Sequence, residues 1–149
     1  AFGFHANYSF LSAPPASKRS IVEHFRAQAV ANGHPGLKVA IAGRGFVADK
    51  ASVAKETMYR GWLPSVTVSQ KERGREAPSR AMFDEQANGD GPIIAGDVNE
   101  VADRLAAIHS ELRHDRHILQ FDIGNIEHSA VMKAIELLGT KVLPQVRSL

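Results

Sequence analysis

The chain contains no cysteine. That removes disulfides, thiol nucleophiles and thiolate metal sites, and it fits a reducing, cytoplasmic compartment. No apolar run approaches the ~18 residues of a membrane-spanning helix. Charge of one sign is also scarce. The 18 basic and 16 acidic residues leave a formal charge of +2 and are interspersed, so neither nucleic acid nor a membrane is an expected partner. The first residues lack the basic start and small-residue cleavage site of a secretory signal. There is no repeat of fixed period, and neither a Gly-x-Ser-x-Gly elbow nor a Ser/His/Asp order marks a hydrolase. What is present is 44% hydrophobic over 149 residues, enough to bury the core of one domain.

The apolar residues follow two periods. Over residues 1–9, Phe2, Phe4, Ala6 and Tyr8 alternate with Gly3, His5, Asn7 and Ser9, the period of a strand. Pro14 and Pro15 break the chain. Ser20 with Glu23 has capping-box spacing, and Ile21, Phe25 and Ala29 stripe a helix that Asn32-Gly33 ends. Residues 38–42 form a second apolar run, after which Asp49 is placed to cap a helix that Gly61 closes. Residues 61–92 hold Pro64, Pro78 and the basic Lys71, Arg73, Arg75 and Arg80 with little periodicity, the signature of a long loop that is functional or mobile, and the candidate active-site loop of the chain. Asp97 with Glu100 caps a helix striped by Val101, Leu105, Ile108 and Leu112. A third strand spans 117–123, Gly124-Asn125 ends it, and Val131, Met132, Ile135 and Leu138 stripe a last helix.

This alternation is that of parallel βα units, an α/β fold. Three strands cannot close an eight-stranded barrel, and the chain opens inside a strand. The expectation is one partial domain over 1–149 whose remaining strands lie elsewhere.

Gly43-Arg44-Gly45-Phe46-Val47-Ala48 follows an apolar run and precedes a helix, as an NAD(P)-binding Rossmann fingerprint does. The next possible strand, residues 66–69, is followed by Glu72, farther from Gly43 than the usual ~20 residues, so a plain βα turn competes with that reading. Among seven histidines, His114 and His117 have a ligand-like interval. A strand starting at His117 would turn the rings apart and no third ligand is near, so no metal is expected and a solvated turn is the plainer reading. His24, His34 and His109 read as surface positions.

In a (βα)8 barrel the helix-facing residues of each strand are apolar, while the inward set near the C-terminal end builds the site. Phe2, Phe4, Tyr8, Val39, Ile41, Leu119, Phe121 and Ile123 suit the first layer. His5, Asn7, Arg44, Gln120 and Asp122 are left pointing inward. Five polar groups at one mouth need a ligand, water or one another; mutual satisfaction in a wet barrel end is the bland alternative.

Gly96-Asp97-Val98-Asn99-Glu100-Val101-Ala102-Asp103-Arg104-Leu105, then His109, Asp115-Arg116 and Leu119-Gln120-Phe121-Asp122-Ile123-Gly124, resemble the last βα unit of the bacterial-luciferase-like monooxygenases. His128, Val131-Met132, Ile135-Glu136-Leu137, Gly139-Thr140, Val142, Pro144, Val146 and Arg147 resemble that family's closing helix and tail. Phe46-Val47-Ala48-Asp49 resembles the end of its seventh strand, and Arg26, Ala27 and Asn32-Gly33-His34 the end of the preceding helix. The resemblance implies strands six to eight of a (βα)8 barrel, with residues 61–92 as an excursion between the last two. It implies reduced FMN or coenzyme F420 as cofactor, which carries the chemistry while the barrel supplies shape and electrostatics. Position by position, Asp122, Gly124 and Asn125 would lie beside the flavin ring system or the substrate. His5, Asn7, Arg44 and Gln120 would line the substrate pocket, although many relatives place a histidine where Arg44 stands. Strands one to five, with much of the flavin-phosphate region, have no counterpart here, so binding would need the missing barrel part. The expected activity is that of a flavin-dependent oxidoreductase acting on a small molecule. The alternative is a non-catalytic half-barrel that pairs with itself or another chain, and the Rossmann reading stands third.

Overall fold

The computed structural model describes residues 3–147; Phe2, one of the expected helix-facing residues, lies outside them. The chain folds as β1 (Ala6–Ser9), a 3-10 turn (Pro15–Lys18), α1 (Arg19–Ala31), β2 (Val39–Val47), α2 (Ala51–Glu72) and α3 (Arg80–Ala87). It continues as β3 (Ile93–Gly96), α4 (Val98–Leu112), β4 (Arg116–Gln120), α5 (His128–Leu137), a π-helical turn (Leu138–Val142) and α6 (Leu143–Val146).

All strand pairs are parallel and all involve β2. Ala40 lies opposite both Asn7 of β1 and Arg116 of β4, so β1 and β4 flank β2. Arg44 lies opposite both Gln120 of β4 and Ile93 of β3. A strand has two edges, and β3 therefore continues the edge that β1 leaves after Ser9. With side chains alternating, this register puts Asn7, Ala40, Arg44, Ile118 and Gln120 on one face. Val39 and Ile41, both fully buried, lie on the other. That covered face packs into one core with Val22 of α1, Ile108 and Leu112 of α4, and Ala134 and Leu137 of α5. The opposite face is open along β4, where Ile118 is 41% exposed. The expected segregation of apolar and polar strand faces holds for β2 and β4; Phe4, placed in the helix-facing layer by its alternation, is instead 75% exposed.

Several local expectations are corrected. A 3-10 turn runs straight into α1, so Ser20 sits inside the first helical turn and Lys18, without a side-chain bond, is the N-cap. Helix α2 starts after Lys50 rather than at an Asp49 cap. Asp97 does cap α4, accepting from the amides of Asn99 and Glu100 at 3.0 Å each.

The largest correction concerns residues 61–92, which are not an irregular loop. Helix α2 runs through Gly61 and Pro64 to Glu72, and α3, capped by Ser79 Oγ at 3.2 Å from the Met82 amide, follows. Gly61 is a packing glycine rather than a stop: a Cβ there would lie 2.3 Å from the Ile123 carbonyl oxygen. Pro64 forfeits a helical hydrogen bond at a cost of ~3 kcal/mol, offset by burial of Met58 and Trp62 on the same helix, worth about 1.5–3 kcal/mol each. Residues 66–69, a possible strand by sequence, are helical. Strand β3 carries no alternation because all four of its residues are buried. The third expected strand is shorter than 117–123, ending at Gln120.

The Rossmann reading fails on the same ground. Gly43 and Gly45 lie within β2, not in a turn facing a helix N-terminus. A Cβ on Gly43 would lie 2.3 Å from the Phe10 ring, and one on Gly45 2.9 Å from the Ile94 carbonyl. They are small for packing, not for a pyrophosphate. Among the described residues no helix is long and apolar enough to cross a membrane.

Candidate functional site

Beyond the C-terminal ends of β1 and β2, the end of α2 and the start of α3 enclose a cavity of about 360 Å³. Arg44 enters from β2, Ser12 from the segment after β1, Trp62 and Ser69 from α2, and Arg73 and Arg75 from the turn after it. No Asp or Glu is among the described residues lining it. The Arg44 Nε is shielded from solvent without a hydrogen-bond partner, and burial pushes the guanidinium below its ordinary pKa; an arginine there still stays cationic. A buried donor left unpaired costs ~1–3 kcal/mol, more when charged. The wall behind is rigid: Trp62, 1% exposed, stacks on Tyr59 at 6.3 Å and meets Phe83 edge-on at 5.4 Å.

The loop after β4 forms the neighbouring part of this end. Asp122, Gly124 and Asn125 are exposed. Gly124 has φ +60°, and a Cβ there would come 2.3 Å from the Gly61 carbonyl oxygen, so the loop backbone seats directly on α2. Gln120, exposed, stands opposite Arg44. Arg44, Gln120 and the loop bearing Asp122 therefore gather at one end of adjacent strands.

His5 and Asn7 do not join them. His5 Nδ1 accepts the Lys38 amide at 2.9 Å and lines a separate cavity of about 360 Å³ with Lys38, Asp115 and Arg116 at the N-terminal end of the sheet. Asn7 lies opposite Ala40, four residues or roughly 13 Å before Arg44 along β2. The reason is register. Because Ala6 aligns with Val39, the residues of the first segment that reach the C-terminal mouth are those beyond Ser9. Sequence reasoning named Arg73 and Arg75 only as basic residues of a loop and missed Ser12 and Trp62. The usable signal was two arginines two residues apart on either side of a glycine.

The histidines are also arranged differently from expectation. His114 is buried, its Nε2 lies 3.1 Å from His117 Nδ1, and His109 Nδ1 lies 3.1 Å from the His114 carbonyl. Burial, then the charges of His109 and Arg26, push His114 down to about 4, against a smaller opposite effect of Asp115. Burial, then His114, pushes His117 down to about 3. The two imidazoles are thus turned together and largely shielded, although Arg113, Asp115 and Arg116 around them are exposed. Among the described residues no group of three or more His, Cys, Asp or Glu is arranged to hold a metal.

The sequence matches the family described as luciferase-like monooxygenase over residues 3–115. The chain belongs to that family. No curated protein matches the sequence. Among solved structures, the chain is similar to monooxygenase RslO1 from Streptomyces bottropensis at 15% identity and TM-score 0.69, covering 95% of this chain and 42% of that one. The oxygenating constituent of 3,6-diketocamphane monooxygenase from Pseudomonas putida, solved with FMN, aligns at 16% identity and TM-score 0.66 over 94% of this chain and 42% of its own. The coenzyme F420 dependent tetrahydromethanopterin reductase from Methanopyrus kandleri aligns at 17% identity and TM-score 0.61, over 94% and 45%. The chain thus spans less than half the length of each. These likenesses establish the fold, a luciferase-like α/β architecture with a parallel sheet.

Proposed function

We propose that this chain forms strands six to eight of a (βα)8 barrel, with β1, β2 and β4 in those places, and that the barrel it helps to build is a flavin-dependent oxidoreductase using FMN or coenzyme F420. The observation that carries the reading is the sheet itself. Three parallel neighbours are covered by helices on one face and open on the other, with Asn7, Arg44 and Gln120 along the open face. That is how a barrel wall looks from inside.

The residues present fit one side of a flavin site. The side chains of Asp122 and Asn125 are exposed and make no hydrogen bond among the described residues, leaving a carboxylate and an amide for the polar edge of a ring system beside the backbone of Gly124. A bound flavin would supply the redox chemistry. This chain's part is to orient the ring edge through Asp122 and Asn125, to bind substrate near Arg44 and Gln120, and to exclude water with α2 and α3.

The test is to titrate FMN and coenzyme F420 into the chain joined to strands one to five of a family member, following the visible absorption of the cofactor. Saturable binding of one of them, weakened in Asp122→Ala, is expected. Absence of binding to both removes the proposal.

The open face also favours a second reading, a non-catalytic half-barrel covered by a second copy or another chain. It predicts a dimer in solution and no flavin binding after the missing strands are restored.

A further inference from the structure

The cavity between the end of β2 and the turn after α2 is cationic without visible cause. Four arginines elsewhere meet carboxylates: Arg19 with Glu111 at 3.0 Å, Arg60 with Glu56 at 3.1 Å, Arg104 with Asp90 at 3.2 Å, and Arg80 with Glu56 at 2.8 Å and Asp84 at 2.9 Å. Arg26, Arg113, Arg116 and Arg147 make no ion pair among the described residues, but none of them lines this cavity. Arg80 belongs to the same excursion as Arg73 and Arg75, so local composition does not explain the difference. Arg73 and Arg75 make no side-chain ion pair among the described residues, and with Arg44 they line one cavity that has no acidic residue in its wall. Three guanidinium groups around one space of about 360 Å³ repel one another, and the inner one holds a solvent-shielded Nε with nothing to donate to. An oxyanion relieves both costs at once, since a guanidinium presents its donors in a fork that matches carboxylate, sulfonate and phosphate oxygens. The rest of the wall sets the ligand's shape. Leu11, Trp62, Val66 and Met82 give apolar surface beside the arginines, and the volume is at the small end of ligand sites, which run from about 300 Å³ upward.

We propose that this cavity binds the oxyanion group of a small organic acid, gripped by Arg44, Arg73 and Arg75, with a short apolar body against Trp62. Binding itself requires nothing beyond this chain. That the acid is the substrate rests on the oxidoreductase reading above. The same oxyanion chemistry could come from the phosphate of the flavin, and the experiment separates the two sources.

Trp62 is the single tryptophan of the chain and lines the cavity, so its fluorescence reports occupancy. The chain is titrated with benzoate and, at matched ionic strength, with the neutral isostere benzamide. Expected is a saturable change with benzoate, none with benzamide, and an apparent Kd raised about tenfold or more in Arg73→Gln/Arg75→Gln. Arg44→Lys, which keeps the charge and loses the fork, gives an intermediate loss. Equal responses to benzoate and benzamide, no saturation, or an unchanged Kd in the double variant overturns the proposal. Both exchanged arginines are exposed, and an unchanged urea midpoint confirms that the variant is folded. Calorimetric competition then assigns the source. Displacement of benzoate by FMN but not by riboflavin supports an oxyanion site filled by the flavin phosphate; retention of benzoate beside both flavins supports a substrate acid. Benzoate binding with no flavin binding in the completed barrel leaves this site standing and removes the oxidoreductase reading, and the converse removes only the site.

Discussion

The two ends of the sheet are built on opposite terms. At the N-terminal end the charged groups close on one another: the Asp115 carboxylate accepts from Lys38 Nζ and from the Val39 amide, both at 2.9 Å, His5 accepts from the Lys38 amide, and Arg26 donates to the carbonyls of Leu112 and Arg113. Of the buried side-chain polar atoms described there, only the ring atoms His114 Nδ1 and His117 Nε2 are left without a partner. At the C-terminal end Arg44 Nε is orphaned, and Arg73, Arg75 and Asp122 pair with no carboxylate or amine among the described residues. A network that satisfies itself holds strands in register. A set of donors held open by a rigid wall is available to something else. The contrast separates the residues that make the fold from those offered to a ligand, on one continuous sheet.

The strongest way to break this contrast is to ask whether the C-terminal end is a detachable lid. Trp62 and Phe83 are both almost fully buried and touch edge-on, so Trp62→Ala should cost about 3–5 kcal/mol in urea unfolding. A loss below about 1 kcal/mol would show that α2 and α3 are loosely attached and the cavity is not preformed. The next effect belongs to the N-terminal end. The folded pKa values of His114 and His117, about 4 and about 3, lie below the ordinary 6.5, so the unfolded chain takes up protons first. Stability from these groups is full above pH 6.5 and is lost as the pH falls through 4 toward 3, by up to about 2.7 kcal/mol per pH unit where both are neutral only in the fold. Urea midpoints at pH 7 and 5.5, above the range where carboxylates titrate, read that slope. His117→Phe should remove about half of it; an unchanged slope would mean that the imidazoles are not buried as a pair.

How much of this was legible in the sequence depends on what each residue answers to. The Asp97 cap and the Val101, Leu105, Ile108 and Leu112 stripe answer to local geometry, and both stand as expected. Gly61 and Pro64 carry the local signal of a helix end, yet tertiary packing overrides it, because Gly61 touches the chain some sixty residues away at Ile123 and Gly124. Strand β3 is buried on both sides and so shows no alternation to read. For the site, Arg44 and Gln120 were recognisable as polar residues on apolar strands, and the register brings them opposite each other. His5 and Asn7 fit the same rule but sit at the other end, since alternation gives the face of a residue and never its height along the sheet. His114 and His117 were expected apart because the bend that turns their rings together lies in the short connection between α4 and β4.

Two smaller effects sharpen the comparison from each side. Asp115→Ala strands the Val39 amide and removes a charged bond to Lys38, so a loss of about 2 kcal/mol is expected, with Asp115→Asn losing less because an amide oxygen still accepts from Val39. Equal losses for the two would mean that the Lys38 pair, not the backbone bond, matters, contrary to the small worth of an exposed ion pair. The smallest effect is the most discriminating. Arg73→Gln/Arg75→Gln breaks no side-chain bond among the described residues and eases repulsion around Arg44, so unfolding should shift by no more than about 0.5 kcal/mol, toward greater stability. Adding benzoate should then stabilise the parent chain, and the double variant much less, because a ligand that binds only the folded state raises its stability with occupancy. A double variant clearly less stable than the parent without ligand would place these arginines among the structural bonds of the fold, and the two ends of the sheet would no longer differ in kind.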